Sequence, residues 1–129
     1  MDKLDLYRCE TCGNIVEVLH CGEGELVCCG KPMSLLTPKR DEDAMLEKHV
    51  PIFLNIDKNT EIRVGEVLHP MTEEHYIEFI QVISEDKKYA SIKFLKPFEE
   101  PKMSVNENTK YKTAREYCNI HGLWEGYND

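Results

Sequence analysis

No apolar run in the 129-residue chain approaches the roughly 18 residues that a membrane-spanning helix needs, so the sequence predicts a protein that works in water. Basic residues are too few for a sequence-independent grip on polyphosphate. There are 16 Lys and Arg against 24 Asp and Glu, a formal charge of −8, which argues against nucleic acid as a partner. The opening Met1-Asp2-Lys3-Leu4-Asp5-Leu6 interleaves charges with single leucines and lacks the unbroken apolar segment of a secretory signal, so the expected compartment is the cytoplasm. Neither a repeat nor a low-complexity tract is visible, and the length excludes a barrel enzyme while allowing one domain or a small domain with an appendage.

What the chain does have is cysteine. Five of six, Cys9, Cys12, Cys21, Cys28 and Cys29, lie in the first thirty residues, and Cys118 stands alone near the end. Without an export signal, thiolates holding a metal are favoured over disulfides. Residues 1–36 contain only short apolar pieces (Ile15-Val16, Val18-Leu19, Leu26-Val27), too brief to enclose a core, so a bound metal has to supply what burial cannot. The charged, proline-containing Thr37-Pro38-Lys39-Arg40-Asp41-Glu42-Asp43 reads as a solvated linker, placing a domain boundary there: 1–36 and 37–129.

Beyond the linker, the runs Val50 to Ile56, Glu61 to Val67, Tyr76 to Ile83, Tyr89 to Leu95 and Tyr111 to Cys118 are short and rich in β-branched and aromatic residues. They are separated by turn formers such as Asp57-Lys58-Asn59, Ser84-Glu85-Asp86-Lys87 and Asn106-Glu107-Asn108. The expected fold is mostly β, a small antiparallel sandwich. In the first run Val50, Ile52, Leu54 and Ile56 alternate with Pro51, Phe53 and Asn55, predicting that the former set faces the core. A change of phase at Phe79 and Ile80 predicts a bulge or burial on both faces. One short helical turn is expected around Asp43 to Lys48.

Cys9-Glu10-Thr11-Cys12 has the spacing that lets two thiolates reach one ion, and Cys28-Cys29 follows after fifteen intervening residues. Four thiolates imply a tetrahedral zinc or iron site, and spacing does not choose between them. Adjacent cysteines can meet at one ion only on a distorted backbone, which Gly13 and Gly30 would ease. Cys21 has no partner at chelating distance in sequence and reads as a bystander thiol, as His20 reads as a surface histidine.

His49, His69, His75 and His121, with Cys118, fall at strand ends and loops, where a sandwich carries binding sites. A straight strand rising about 3.3 Å per residue would hold His69 and His75 about 20 Å apart, so only a loop, helped by Pro70, brings both to one ion. Imidazoles with one thiolate suit a redox-active transition metal. Blue copper is disfavoured because no methionine follows Cys118; non-haem iron, with one position open, is left.

Taken together, Cys9-x-x-Cys12, Cys28-Cys29, Glu47-Lys48-His49, His69-Pro70, His75 and Cys118-Asn119-Ile120-His121 resemble the desulfoferrodoxin family, the two-iron form of superoxide reductase, over nearly the whole chain. The resemblance implies a desulforedoxin-like N-terminal domain with an Fe(Cys)4 centre and an immunoglobulin-like sandwich with a square-pyramidal iron. His49, His69, His75 and His121 would then be equatorial ligands, and Cys118 the axial one. It further implies superoxide as substrate, a rubredoxin-like or other external electron donor, a homodimer, and Glu47 as sixth ligand of the ferric state. Lys48 would steer the anion. The reading that competes is a zinc-stapled interaction module without redox activity.

Overall fold

The computed structural model describes residues 1–40, 49–56, 58–65, 69–106 and 108–128. Two compact units result, residues 1–37 and 38–129, and all the regular structure in the described residues is β.

The first unit has five short strands: β1 (Leu6–Arg8), β2 (Ile15–Glu17), β3 (Val27–Cys28), β4 (Lys31–Pro32) and β5 (Ser34–Leu35). One antiparallel sheet has the order β2-β1-β5, and β3 pairs with β4 as a separate ribbon. Only Leu4, Leu6, Cys9 and Val18 are buried here, a core too small to hold the unit unaided.

The second unit has seven strands: β6 (Pro51–Ile56), β7 (Asn59–Val64), β8 (Ile77–Ser84), β9 (Ala90–Phe94), β10 (Lys102–Asn106), β11 (Tyr111–Cys118) and β12 (Gly122–Tyr127). They form two antiparallel sheets, β10-β7-β6 and β12-β11-β8-β9. The split is that of an immunoglobulin-like sandwich whose fourth strand, β9, joins the larger sheet. Ile62 and Val64 meet Ile77, Ile80, Val82, Leu95, Met103, Ala114 and Cys118 in the core.

Strand β8, central in its sheet, is buried on both faces at all but one position, and pairing with β11 skips Glu78 between Ile77 and Phe79. The phase change in its sequence therefore marks a bulge as well as two-sided burial. The expected face of β6 is corrected. Pro51 is buried and Phe53 packs on the core, whereas Ile56 is 46% exposed, because apolar residues occupy both faces of this edge strand and alternation does not choose between them.

The linker is corrected in part. Lys39 forms a parallel bridge with Trp124, donating its N–H to Leu123 O at 2.9 Å and accepting from Glu125 N at 2.9 Å. Edge strand β12 has unused backbone groups on that side and takes up this residue. Arg40 pairs with Glu125 and lies 5.2 Å from the Tyr127 ring centroid. The helical turn around Asp43 to Lys48, including Glu47 and Lys48, lies outside the described residues.

Candidate metal centres

The thiol cluster is built by two turns. Cys9 directly follows β1, and Gly13 N donates to its carbonyl at 2.8 Å, closing a loop that presents Cys12 beside it. Cys28 ends β3 and Cys29 begins the turn into β4. Cys29 adopts φ 54° and Gly30 φ 73°, so the backbone passes through the left-handed region to aim two adjacent sulfurs the same way.

The four sulfurs lie within 4.8 Å of one another, with Cys12 Sγ 3.6 Å from Cys28 Sγ and Cys28 Sγ 4.0 Å from Cys29 Sγ. Sulfurs about 2.3 Å from a tetrahedral ion stand about 3.8 Å apart, so the cluster has the dimensions of a closed four-thiolate site. The thiols are electrostatically unequal. Backbone N–H donation, from Cys12 first, holds Cys9 down at about 6, whereas hydrogen bonding with the Cys12 and Cys9 sulfurs pushes Cys29 up to about 12. Four such groups ionise together only around a cation. Cys21 is half-buried and outside the cluster, and His20 is exposed.

The histidines gather at one end of the sandwich. His49 precedes β6, His69 and His75 flank the loop entering β8, Cys118 ends β11, and His121 sits in the turn to β12. His49 Nε2 is 3.1 Å from His69 Nε2 and 2.9 Å from His121 Nδ1. His69 Nδ1 lies 2.7 Å from Pro70 O, which fixes its proton there and leaves Nε2 as a bare lone pair aimed inward. One ring nitrogen cannot serve two such neighbours with a single proton. Donors about 2.1 Å from one ion and at right angles stand about 3.0 Å apart, so a shared cation satisfies all three. His75 Nε2 is buried and has no hydrogen-bond partner among the described residues, and His49, His75, Cys118 and His121 offer ligand atoms all within 4.8 Å of one another. The His69 ring is 4.5 Å from that of His75 by centroids.

Burial, against the opposing Pro70 carbonyl, pulls His69 down to about 4, and burial with the His121 charge lowers His75, so both imidazoles are neutral near pH 7. Cys118 Sγ accepts the His121 N–H at 3.5 Å and stands 3.9 Å from His121 Nδ1, while burial holds the thiol above its ordinary value. A nearby cation would reverse that balance. The donor chemistry fits iron at both sites: four soft thiolates in one, mixed imidazole and thiolate in the other.

Several supporting residues gave no signal in the sequence. Asn119 ties the two ligand loops together: its Oδ1 accepts Tyr76 N at 2.9 Å and its Nδ2 donates to Glu74 O at 3.0 Å. Trp124, fully buried, stacks on His49 with centroids 5.0 Å apart and donates its indole N–H to His121 O at 3.1 Å. Glu116 is fully buried beside this end, with neither carboxylate oxygen hydrogen-bonded among the described residues.

Comparison with known proteins agrees with this layout. The desulfoferrodoxin family profile matches residues 41–127, and its N-terminal domain profile matches residues 1–36. The desulfoferrodoxin of Syntrophotalea carbinolica is 49% identical over 123 residues, 95% of each chain. Among solved structures, the superoxide reductase from Treponema pallidum shares the fold, with a TM-score of 0.74 at 22% identity over 96% of this chain and 97% of that one. The superoxide reductase (1Fe-SOR) from Giardia intestinalis aligns at 34% identity and a TM-score of 0.53, covering 64% of this chain and 98% of its own. Two profiles that between them span both cysteine pairs and the histidine end of the sandwich, and a relative matched almost end to end, place this chain in the desulfoferrodoxin family.

Proposed function

We propose that this protein is a superoxide reductase with two iron sites, an Fe(Cys)4 centre in residues 1–36 and a catalytic His4Cys centre in residues 37–129. The observation that carries the reading is that His49 Nε2 faces His69 Nε2 at 3.1 Å and His121 Nδ1 at 2.9 Å, while His49, His75, His121 and Cys118 offer ligand atoms within 4.8 Å of one another. Family membership and the 34%-identical superoxide reductase from Giardia intestinalis support it.

When bound as the ferrous ion, iron supplies the one electron that, with two protons, converts superoxide to hydrogen peroxide. The protein's part is to hold and tune. His49, His69, His75 and His121 supply neutral donors, and Cys118 a thiolate that favours loss of the electron. His75 and His121 are half-buried where His49, His69 and Cys118 are buried, so a small anion and water as proton source would approach from the His75 and His121 side. Lys48, next to His49 in sequence, would draw superoxide toward a chain of net negative charge, and Glu47 would offer its carboxylate to the iron after oxidation. The first centre is held by Cys9, Cys12, Cys28 and Cys29.

A turnover leaves the iron oxidised, so an external one-electron donor, rubredoxin-like or another reductase, is required. A cytoplasmic, homodimeric protein is our reading of the remaining features; cysteines held as thiolates and not as disulfides suit a reducing compartment.

Rapid mixing of the ferrous protein with superoxide tests the function. One peroxide per iron oxidised and no dioxygen is expected; dioxygen release would make the protein a dismutase. Lys48→Ile should slow the capture step and flatten its salt dependence, and an unchanged rate at low salt would remove Lys48 from steering. Glu47→Ala should leave capture fast and alter only the ferric spectrum; slowed capture would place Glu47 in the first step.

A further inference from the structure

We propose that Lys39 is a fixed cation of the histidine centre, seated on Trp124 and His121, that favours the ferrous over the ferric state. The inference rests on the superoxide reductase reading above.

Lys39 is not a loose linker residue. Its backbone is bonded in both directions to β12, to Leu123 O and from Glu125 N, each at 2.9 Å, which fixes where its side chain starts. Its ammonium then lies 5.1 Å from the Trp124 ring centroid and donates to His121 O at 3.2 Å. The same carbonyl accepts the Trp124 indole N–H at 3.1 Å, so two donors occupy it. A cation over an indole face is held electrostatically while still charged.

The carboxylate nearest in sequence on β12 does not cancel this charge. Glu125 accepts from Arg40 and from the Tyr127 hydroxyl at 2.7 Å, and among the described residues no ion pair includes Lys39.

The seat faces the metal site through one ring. Trp124 stacks on His49 at 5.0 Å with planes 22° apart, so the Lys39 ammonium is within about 10 Å of the His49 imidazole. A positive charge there opposes the gain of another as ferrous becomes ferric. It therefore raises the reduction potential and eases re-reduction by the donor. Lys39 acts through Trp124 and His121 and is a positioning and tuning residue, not one that touches substrate.

Potentiometric titration of the iron-loaded protein, following the ferric absorption of the histidine centre, tests this. Lys39→Met should raise the ferric-to-ferrous ratio at fixed potential about threefold, a fall of about 30 mV in midpoint at 59 mV per decade. Lys39→Arg, which keeps the charge, should titrate like wild type, and the Fe(Cys)4 centre should be unmoved in both. An unchanged midpoint in Lys39→Met would overturn the proposal, as would an equal fall in Lys39→Arg, which would trace the effect to packing. If the wild-type protein shows no iron transition beyond that of the thiolate centre, the superoxide reductase reading itself has failed and Lys39 has nothing to tune. Lys39 is exposed, so these variants leave the core intact.

Discussion

Nδ1 of His121 stands 2.9 Å from Nε2 of His49, although 72 positions of sequence separate the two residues. That same His49 nitrogen also faces Nε2 of His69 at 3.1 Å. Three imidazole nitrogens pointing inward at such spacing repel unless a cation sits among them, and the fifth donor of the proposed set is a sulfur. Cys118→Ser should therefore abolish the sulfur-to-iron charge-transfer absorption of this centre and leave that of the thiolate centre intact. Unaltered spectra would exclude Cys118 as a ligand.

Asn119 bonds the loop that carries His75 to the turn that carries His121, through Tyr76 N and Glu74 O. Removing its amide frees the two loops to separate without touching any ligand. Asn119→Ala is expected to lose iron to a chelator about tenfold more readily than wild type, in line with other outer supports of metal ligands. Equal chelation rates would show that the loops hold their positions without it.

Glu116 has both oxygens buried and, among the described residues, unbonded, and burial keeps its proton on well above the ordinary carboxylate value of 4.5. Above pH 4.5 the folded chain thus holds a proton that the unfolded chain has released. Stability then falls as pH rises through this window, because the unfolded state binds fewer protons. Glu116→Gln cannot ionise, so its unfolding midpoint should decline less between pH 5 and 9 than that of wild type, to about the extent that Glu116 is strained. Parallel curves would mean that the carboxyl finds a partner.

Gly126 on β12 is a close-approach position. A Cβ there would stand 2.2 Å from Pro51 O and 3.3 Å from Val50 Cγ1, just beyond His49. Backbone cannot yield as a flexible side chain does, so Gly126→Ala should destabilise the sandwich by about 2 kcal/mol in denaturant unfolding. An unshifted midpoint would show that the two sheets separate freely at this edge.

The sequence disclosed the ligand chemistry far better than the scaffold that aims it. Cys9, Cys12, Cys28 and Cys29 announce themselves through spacing, and the histidines through their placement at strand ends, since metal ligation permits few residue types. Strands β10 and β12 were missed. Lys-Met-Ser-Val-Asn is short and half polar, and Gly-Leu-Trp-Glu-Gly-Tyr has two glycines and no clean alternation, so both depend on partners distant in sequence. The inward face of β6 was misread because Ile52 and Leu54 are as apolar as Pro51 and Phe53. Lys39 was hidden among linker charges, because a backbone bridge to Trp124 leaves no mark on composition.

Metal analysis of protein purified without added metal tests the central claim most directly. About two irons per chain are expected in wild type, with only the histidine-centre iron lost in a His49→Ala, His75→Ala double variant. One zinc and no iron would contradict the account and leave a stapled β-sandwich with no redox chemistry.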